Sequence, residues 1–274
     1  MGRNGGQGWT GWIGRTTLTV ALLFSLPALP ALPALSVLPA LYAQQPVSRL
    51  KGRVVNDRGE RLANVDVRAE AIFGSAAGTF AGQRVFTTQT NAKGEWNILG
   101  IAPGVWLFEA HAPGHLPEVV ALPIRLLTAS GPNAGGQLII WDLVLKPAPA
   151  PANEEHKAIL RDAAGAARAG KAAEVEAMLG RVPADADAEY LAGAGRVAML
   201  VKRNDLARTL FTRALERDPS SYRAALGVAS IFLLQRDFDS ASRAFDAARN
   251  RTHDKDEQRF LSAAIGDLAT IRVR

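Results

Sequence analysis

The sequence contains no cysteine among its 274 residues. This absence excludes a disulfide framework, a thiolate metal site, a cysteine nucleophile and a lipid-modified cysteine behind a signal segment. The chain also lacks a basic domain, because its net charge of +6 is spread evenly and acids stand between the bases of its second half. A phosphate-binding surface needs clustered lysines and arginines, so nucleic acid is not a predicted partner.

The first 43 residues have the features of an export signal. Arg3 and Arg15 supply positive charge, an apolar stretch follows from 18 to 41, and small residues precede a predicted cleavage after Ala43. A retained membrane anchor is the alternative, although four prolines in the apolar stretch disfavour a lipid-embedded helix. We therefore predict a periplasmic or secreted protein that contacts membrane only if this segment stays uncleaved.

Residues 44–146 have the period of two that β-strands show. Leu50–Val54 and Val65–Ala69 each alternate apolar with charged residues, and the turn residues 56–60 between them predict a hairpin or near neighbours. Further strands are predicted around 96–98 and 106–110 and over Gln137–Leu145. This spacing predicts an all-β antiparallel sandwich of about seven strands.

The β region resembles the carboxypeptidase regulatory-like domain. The resemblance is carried by Gly52-x-Val54, by Leu62-x-x-Val65-x-Val67, and by Gly94-x-Trp96-x-Ile98-x-x-Ile101-x-Pro103-Gly104-x-Trp106-x-Phe108. It implies a prealbumin-like sandwich that acts as an accessory module without catalytic residues. Because that family is grouped with carbohydrate-binding sandwiches, a glycan-binding module is the alternative function, with the helical half used for assembly.

Three tryptophans, Trp96, Trp106 and Trp141, could in principle stack on a sugar. Each lies on the apolar side of its strand, where a tryptophan is usually part of the core. We therefore interpret them as core residues.

A Pro-Ala run within 147–155 predicts an extended, semi-stiff linker, and the period is helical over 156–274. Three packing marks of that half recur at an offset of 34 residues. They are Ala207, Phe211 and Ala214, and then Ala241, Phe245 and Ala248. Small residues let two helices approach, and the aromatic residue fills the space between them.

This offset is the period of the tetratricopeptide repeat, which the helical half resembles. Units begin at Ala188 and Tyr222, residues 154–187 form a degenerate first unit, and 256–271 a closing helix whose Arg259, Asp267 and Arg272 are predicted to face water. Such hairpins stack into an all-α solenoid with a concave groove lined by the first helix of each unit.

Five residues are predicted to line this groove: Arg196, Met199, Arg223, Ser230 and Leu233. A mixed apolar and basic groove suits an extended or helical peptide with acidic character. The predicted function is a non-enzymatic scaffold of the cell envelope or secreted fraction that captures a protein or peptide there. Solvated surface is the alternative reading of these five residues.

Several stretches imitate catalytic or metal sites without completing them. Gly165–Ala172 nearly spells a phosphate-binding loop but has alanine where a hydroxyl must bind magnesium. His111, His115 and Glu118 are predicted on a loop with nothing to fix them as zinc ligands, and the acids at 185, 187 and 189 lack the glycine of a calcium loop. Ser75 has no partner histidine in any motif. No catalytic residue, metal site or cofactor is predicted.

Overall fold

The β-strands of the chain pair into two sheets, one of three strands and one of four. The structure is a computed structural model and describes residues 48–56, 58–74, 84–124, 142–145 and 154–272. The predicted signal at 1–43, most of the linker at 147–155, Ser75 and Trp141 lie outside the described residues. The segment 44–274 forms one compact unit.

The first sheet has the order β4-β1-β7, with β1 Ser48–Val54, β4 Glu95–Ile101 and β7 Asp142–Leu145. The second has the order β3-β2-β5-β6, with β2 Asp66–Gly74, β3 Val85–Gln89, β5 Gly104–His111 and β6 Glu118–Ile124. All neighbours are antiparallel except β1 and β7, which run parallel.

The predicted hairpin of β1 and β2 is wrong, because the two strands belong to different sheets. The turn at 56–60 is present, with Gly59 at positive φ and Asn56 Oδ1 accepting the N–H groups of Arg58 and Glu60. The chain uses this turn to cross between sheets, and a single bridge from Val55 to Arg61 joins its two sides.

The core of the sandwich lies between the two sheets. The rings of Trp96 on β4 and Phe108 on β5 meet across it, with centroids 6.2 Å apart. Trp96 and Trp106 are buried at 2% and 0% exposure, and Trp106 Nε1 donates to the carbonyl oxygen of Ala102. These two tryptophans are therefore core residues, as their alternation indicates, and present no platform to a sugar.

Strand β6 was not predicted from the sequence. All its residues are buried, so the alternation that identifies a half-exposed strand is missing. Pro117 and Pro123 also suggest a loop, although proline is tolerated in an edge strand where its missing N–H points away from the sheet. His111 and Glu118, predicted on a loop, lie in β5 and β6.

Seven helices follow in the described residues: α1 Glu154–Arg168, α2 Ala172–Leu179, α3 Ala188–Leu200, α4 Asn204–Arg217, α5 Tyr222–Leu234, α6 Phe238–Arg249 and α7 Lys255–Arg272. Consecutive helices pair as α1 with α2, α3 with α4 and α5 with α6, and α7 closes the stack on α6. Asp187 and Ser221, 34 residues apart, cap α3 and α5 by accepting backbone N–H groups.

The six predicted packing marks of the repeats are all fully buried. Phe211 shows how they work: a Cβ added to Gly195 of α3 would lie 2.7 Å from its ring, and one added to Gly227 of α5 would lie 2.4 Å from it. The aromatic ring is therefore wedged between the first helices of two successive hairpins.

The closing helix differs from prediction at Asp267, which is buried at 1% exposure instead of facing water. Helix α7 contacts α6 on one side and strands β6 and β7 on another, so more than one of its faces is covered. Arg259 is exposed as predicted, and the side chain of Arg272 lies outside the described residues. Across the part of the chain that the structure describes, no helix combines the length and apolarity needed to span a bilayer.

Candidate functional site

The groove, defined here as the face formed by α3, α5 and α7, is occupied by strand β6 of the same chain. All five residues predicted to line it are covered: Arg196, Met199, Ser230 and Leu233 are at most 1% exposed, and the Arg223 side chain is 15% exposed. The reading of these residues as solvated surface is therefore wrong. What the sequence did not indicate is that the sandwich itself fills the groove.

Ser230 of α5 pairs with the backbone of β6. Its Oγ accepts the N–H of Ala121 at 3.1 Å, in a buried position. Strand β6 is an edge of its sheet, and an edge strand carries outward N–H groups that need partners when buried. Two residues further on, the outward position is Pro123, which has no N–H to satisfy. The groove thus holds an extended backbone through one serine hydroxyl.

Four charged side chains meet in the middle of the groove. Glu118 Oε2 of β6 lies 3.6 Å from Arg196 Nε and 4.0 Å from Arg223 Nη1. Glu189 of α3 accepts a hydrogen bond from Arg223 Nη1 at 2.8 Å, and its Oε1 lies 3.6 Å from Arg196 Nη2. The arginines come from α3 and α5, so the cluster ties two hairpins to one strand.

Arg196 is poorly satisfied in this cluster. Its side chain is 2% exposed, yet Nε, Nη1 and Nη2 all lack a hydrogen bond, and so does Glu118 Oε2. Burial raises the pKa of Glu118, and the two arginines only partly oppose this because neither reaches it at hydrogen-bond distance. Burial alone would lower the pKa of Arg223, but Glu118 and Glu189 raise it. The arginine held by a direct hydrogen bond is thus Arg223, not Arg196.

An apolar contact completes the site. A Cβ added to Gly193 of α3 would lie 2.8 Å from Leu116, which shows that this side chain lies directly on the helix backbone. Leu116 precedes Glu118 by two residues, so one short extended segment supplies the apolar side chain, the carboxylate and the backbone donor.

Outside the groove, equivalent turns of two hairpins reach strand β2. Lys202 and Arg236, 34 residues apart, both have positive φ at the end of a first helix. Lys202 Nζ donates to Glu70 at 3.0 Å, and the Arg236 guanidinium lies 4.5 Å from the ring centre of Phe73. Phe73 also meets Phe238 edge to face, with centroids 6.0 Å apart. The sandwich and the repeats therefore share a broad interface.

A second cavity of about 810 Å³ opens between the outer face of β2, β3 and β5 and the ends of α1 and α3. Its charged side chains are paired in series: Glu70 accepts from Lys202 and Arg68, Arg68 donates to Glu109 at 2.8 Å, and Glu109 lies 3.6 Å from His111. Burial alone would raise the pKa of Glu70, but hydrogen bonds from Lys202 and Arg68 lower it. No aromatic side chain lines this cavity.

The residues that imitate catalytic sites are dispersed. His111 lies beside Glu109, the Nδ1 of His115 lies 3.0 Å from the carbonyl oxygen of Pro113, and Glu118 faces Arg196. Asp187 caps α3 and Glu189 binds Arg223. Gly165 lies in α1, which ends before Gly170 at positive φ, with no strand before it. Among the described residues, no three potential ligands gather to hold a metal ion.

A sequence model of the tetratricopeptide repeat family matches residues 198–265. No match is found among curated protein sequences. The chain is similar to the type III secretion chaperone SycD of Yersinia enterocolitica, solved with a peptide of the translocator YopD, at 18% identity over 44% of this chain and 95% of that one, with a TM-score of 0.37.

It is also similar to the tetratricopeptide domain of Sgt2 from Aspergillus fumigatus, at 12% identity over 44% of this chain and 84% of that one, TM-score 0.38. A third similar structure is catechol 1,2-dioxygenase of Acinetobacter radioresistens, at 11% identity over 38% of this chain and 53% of that one, TM-score 0.30. At such scores these likenesses carry no argument about function.

The repeat period, the family model and the buried packing marks agree on the helical half. It is a non-catalytic tetratricopeptide-like repeat domain of the protein-binding kind, and it follows an N-terminal β region of two sheets.

Proposed function

We propose that this chain is a non-enzymatic protein-binding scaffold, exported to the cell envelope or secreted, whose repeat groove captures an extended segment of a protein partner. One observation carries the proposal: the groove already holds an extended strand, through Ser230 to its backbone and two arginines toward its carboxylate. A surface that recognises β6 in this way has the chemistry to recognise another extended segment.

The β region is proposed to be a carboxypeptidase regulatory-like module. Its two packed sheets and the motif residues around Trp96 and Trp106 support this. In the scaffold it covers the groove and docks against both good repeat units, so the two halves act as one body.

The scaffold role is testable with a photo-crosslinking side chain placed at Glu189, a groove residue whose side chain is 42% exposed. In the native host, we expect this position to form an adduct with another protein. The matched control is Arg259 on α7, whose side chain is 80% exposed and outside the groove. An adduct from Arg259 but none from Glu189 contradicts the groove as the capture surface, and no adduct from either contradicts the scaffold role.

Export is proposed from the charge, apolar stretch and small residues of the first 43 positions. We expect the protein recovered from the periplasm or medium to begin at Gln44, as read by terminal sequencing. A chain that keeps Met1 and stays in the membrane fraction would instead support the anchor.

A further inference from the structure

We propose that the partner segment is an extended peptide carrying a carboxylate, and that β6, through Glu118, is the built-in competitor that this peptide displaces from the groove. The inference rests on the proposed scaffold function and specifies the chemistry of its partner.

The groove recognises features that many extended segments share. These are an apolar side chain laid on Gly193, a carboxylate two residues later facing Arg196, and a backbone N–H three residues further on that reaches Ser230. Leu116, Glu118 and Ala121 supply them from within the chain. None of the three depends on β6 being paired to β5.

The internal occupant leaves the central arginine unmet. Arg196 has three buried nitrogens without a hydrogen bond, and its nearest carboxylate oxygen stands at 3.6 Å. An arginine–carboxylate pair at full strength has two parallel hydrogen bonds of about 2.7–2.9 Å. A competitor whose carboxylate reaches Arg196 at that distance satisfies donors that β6 leaves unsatisfied, and so gains binding free energy that the internal strand does not.

Charge balance in the groove selects for an acidic ligand. Arg196 and Arg223 face Glu118 and Glu189, so the four-residue cluster is formally neutral with β6 in place. Removing β6 leaves two arginines against one carboxylate. A partner carboxylate restores the balance, whereas a neutral segment leaves a buried positive charge without a counterion, which is costly.

The test uses fluorescence anisotropy with two labelled peptides, one of sequence 114–124 and one identical except for Gln in place of Glu118. Each is titrated against the full chain and against its Glu118→Gln variant, which weakens the internal competitor and leaves both arginines in place. We expect the Glu peptide to bind the variant at least tenfold more tightly than the wild type. We expect the Gln peptide to bind the variant at least tenfold more weakly than the Glu peptide does.

Hydrogen exchange reports whether β6 is displaced. The Ala121 amide is protected by Ser230, so we expect its exchange to speed up when the Glu peptide binds. If Glu118→Gln fails to fold, as judged by circular dichroism, Leu116→Ala weakens the same strand through its contact with Gly193 while keeping the carboxylate.

Equal affinity for the two peptides, absence of saturable binding up to millimolar concentration, or unchanged exchange at Ala121 overturns the inference. If neither peptide binds but the Glu189 position still crosslinks to a protein, the scaffold function stands and only the nature of its ligand is wrong. If the Glu peptide binds but Glu189 crosslinks to nothing in the host, the groove chemistry stands and the capture function fails.

Discussion

Glu118 and Glu70 are both interface carboxylates with basic neighbours, but their pKa values shift in opposite directions. Burial raises the pKa of Glu118 because its arginines stand at 3.6 and 4.0 Å, without hydrogen bonds. Glu70 has its pKa lowered despite burial, since Lys202 and Arg68 donate to it directly. Hydrogen-bond distance, more than the presence of a counterion, decides which carboxylate favours its ionised form.

This contrast predicts opposite pH dependences of stability. Protonated Glu118 contributes stability that is present below the ordinary glutamate pKa of about 4.3 and is lost as the pH rises through its raised pKa. Relative to Glu118→Gln, the wild type should therefore become less stable to urea as the pH rises through that window. Glu70 should show the reverse: its contribution is present above about pH 4.3 and is lost as the pH falls through its lowered pKa.

The matched variant Glu70→Gln serves as the control for this comparison. Parallel pH profiles of the two variants relative to wild type would contradict the assignment of different environments to the two carboxylates.

Part of this residue-scale picture could be predicted from the sequence. Arg196 and Arg223 are indicated as groove residues by their place in the repeat, because that place follows from a local period of 34. Glu118 could not be assigned to them, because it lies outside the repeats and no periodic pattern states which distant segment meets the groove. Glu189 was misleading for a different reason, since its spacing with Asp185 and Asp187 imitates the start of a calcium loop.

At the scale of elements, the close approach of α3 and α5 depends on two glycines that face one aromatic ring. Gly227→Ala would place a methyl group 2.4 Å from the Phe211 ring. We expect destabilisation of about 1–3 kcal/mol from overpacking, reduced by up to about 1 kcal/mol through the better helix propensity of alanine. Chemical denaturation of the purified chain measures the difference.

Gly266→Ala is the control within α7, because nothing lies within 4 Å of the added Cβ. It should stabilise the protein by about 0.5–1 kcal/mol through helix propensity alone. A stabilising effect at both positions would show that Phe211 is free to move away from Gly227, contrary to the packing described.

The helices could be predicted better than the strands for a reason visible in β6. Each helix hairpin repeats a neighbour and exposes one side to water, so its pattern is legible. Strand β6 is buried by β5, by the sandwich core and by the groove, and burial on every side removes the contrast between apolar and polar positions. The sheet crossing after β1 was hidden similarly, because a turn sequence states that the chain reverses but not which strand it pairs with.

At the scale of the whole molecule, the shared interface predicts that the sandwich and the repeats unfold together. A spacer between independent domains would give two calorimetric transitions, whereas β6 in the groove and β2 against two hairpins should give one. Ser230→Ala leaves the buried Ala121 N–H unpaired and should lower the stability of the whole by about 1–3 kcal/mol.

The control is Ser262→Ala on α7, whose hydroxyl donates to Gln258 in an exposed position. It should leave the transition nearly unchanged. Two separate transitions, with Ser230→Ala moving only one of them, would refute the coupling of the two halves.

The contacts of Lys202 and Arg236 with β2 set a limit on how this architecture can vary. Glu70 and Phe73 are three residues apart, a rise of about 10 Å along a strand. Adjacent packed helices such as α3 and α5 are separated by about 8–10 Å. Strand and solenoid therefore keep the same step length, and each hairpin meets its own point on β2. A descendant that gained or lost a hairpin inside the stack would shift every later contact by one step, so the sandwich fixes the number of repeats that the chain can carry.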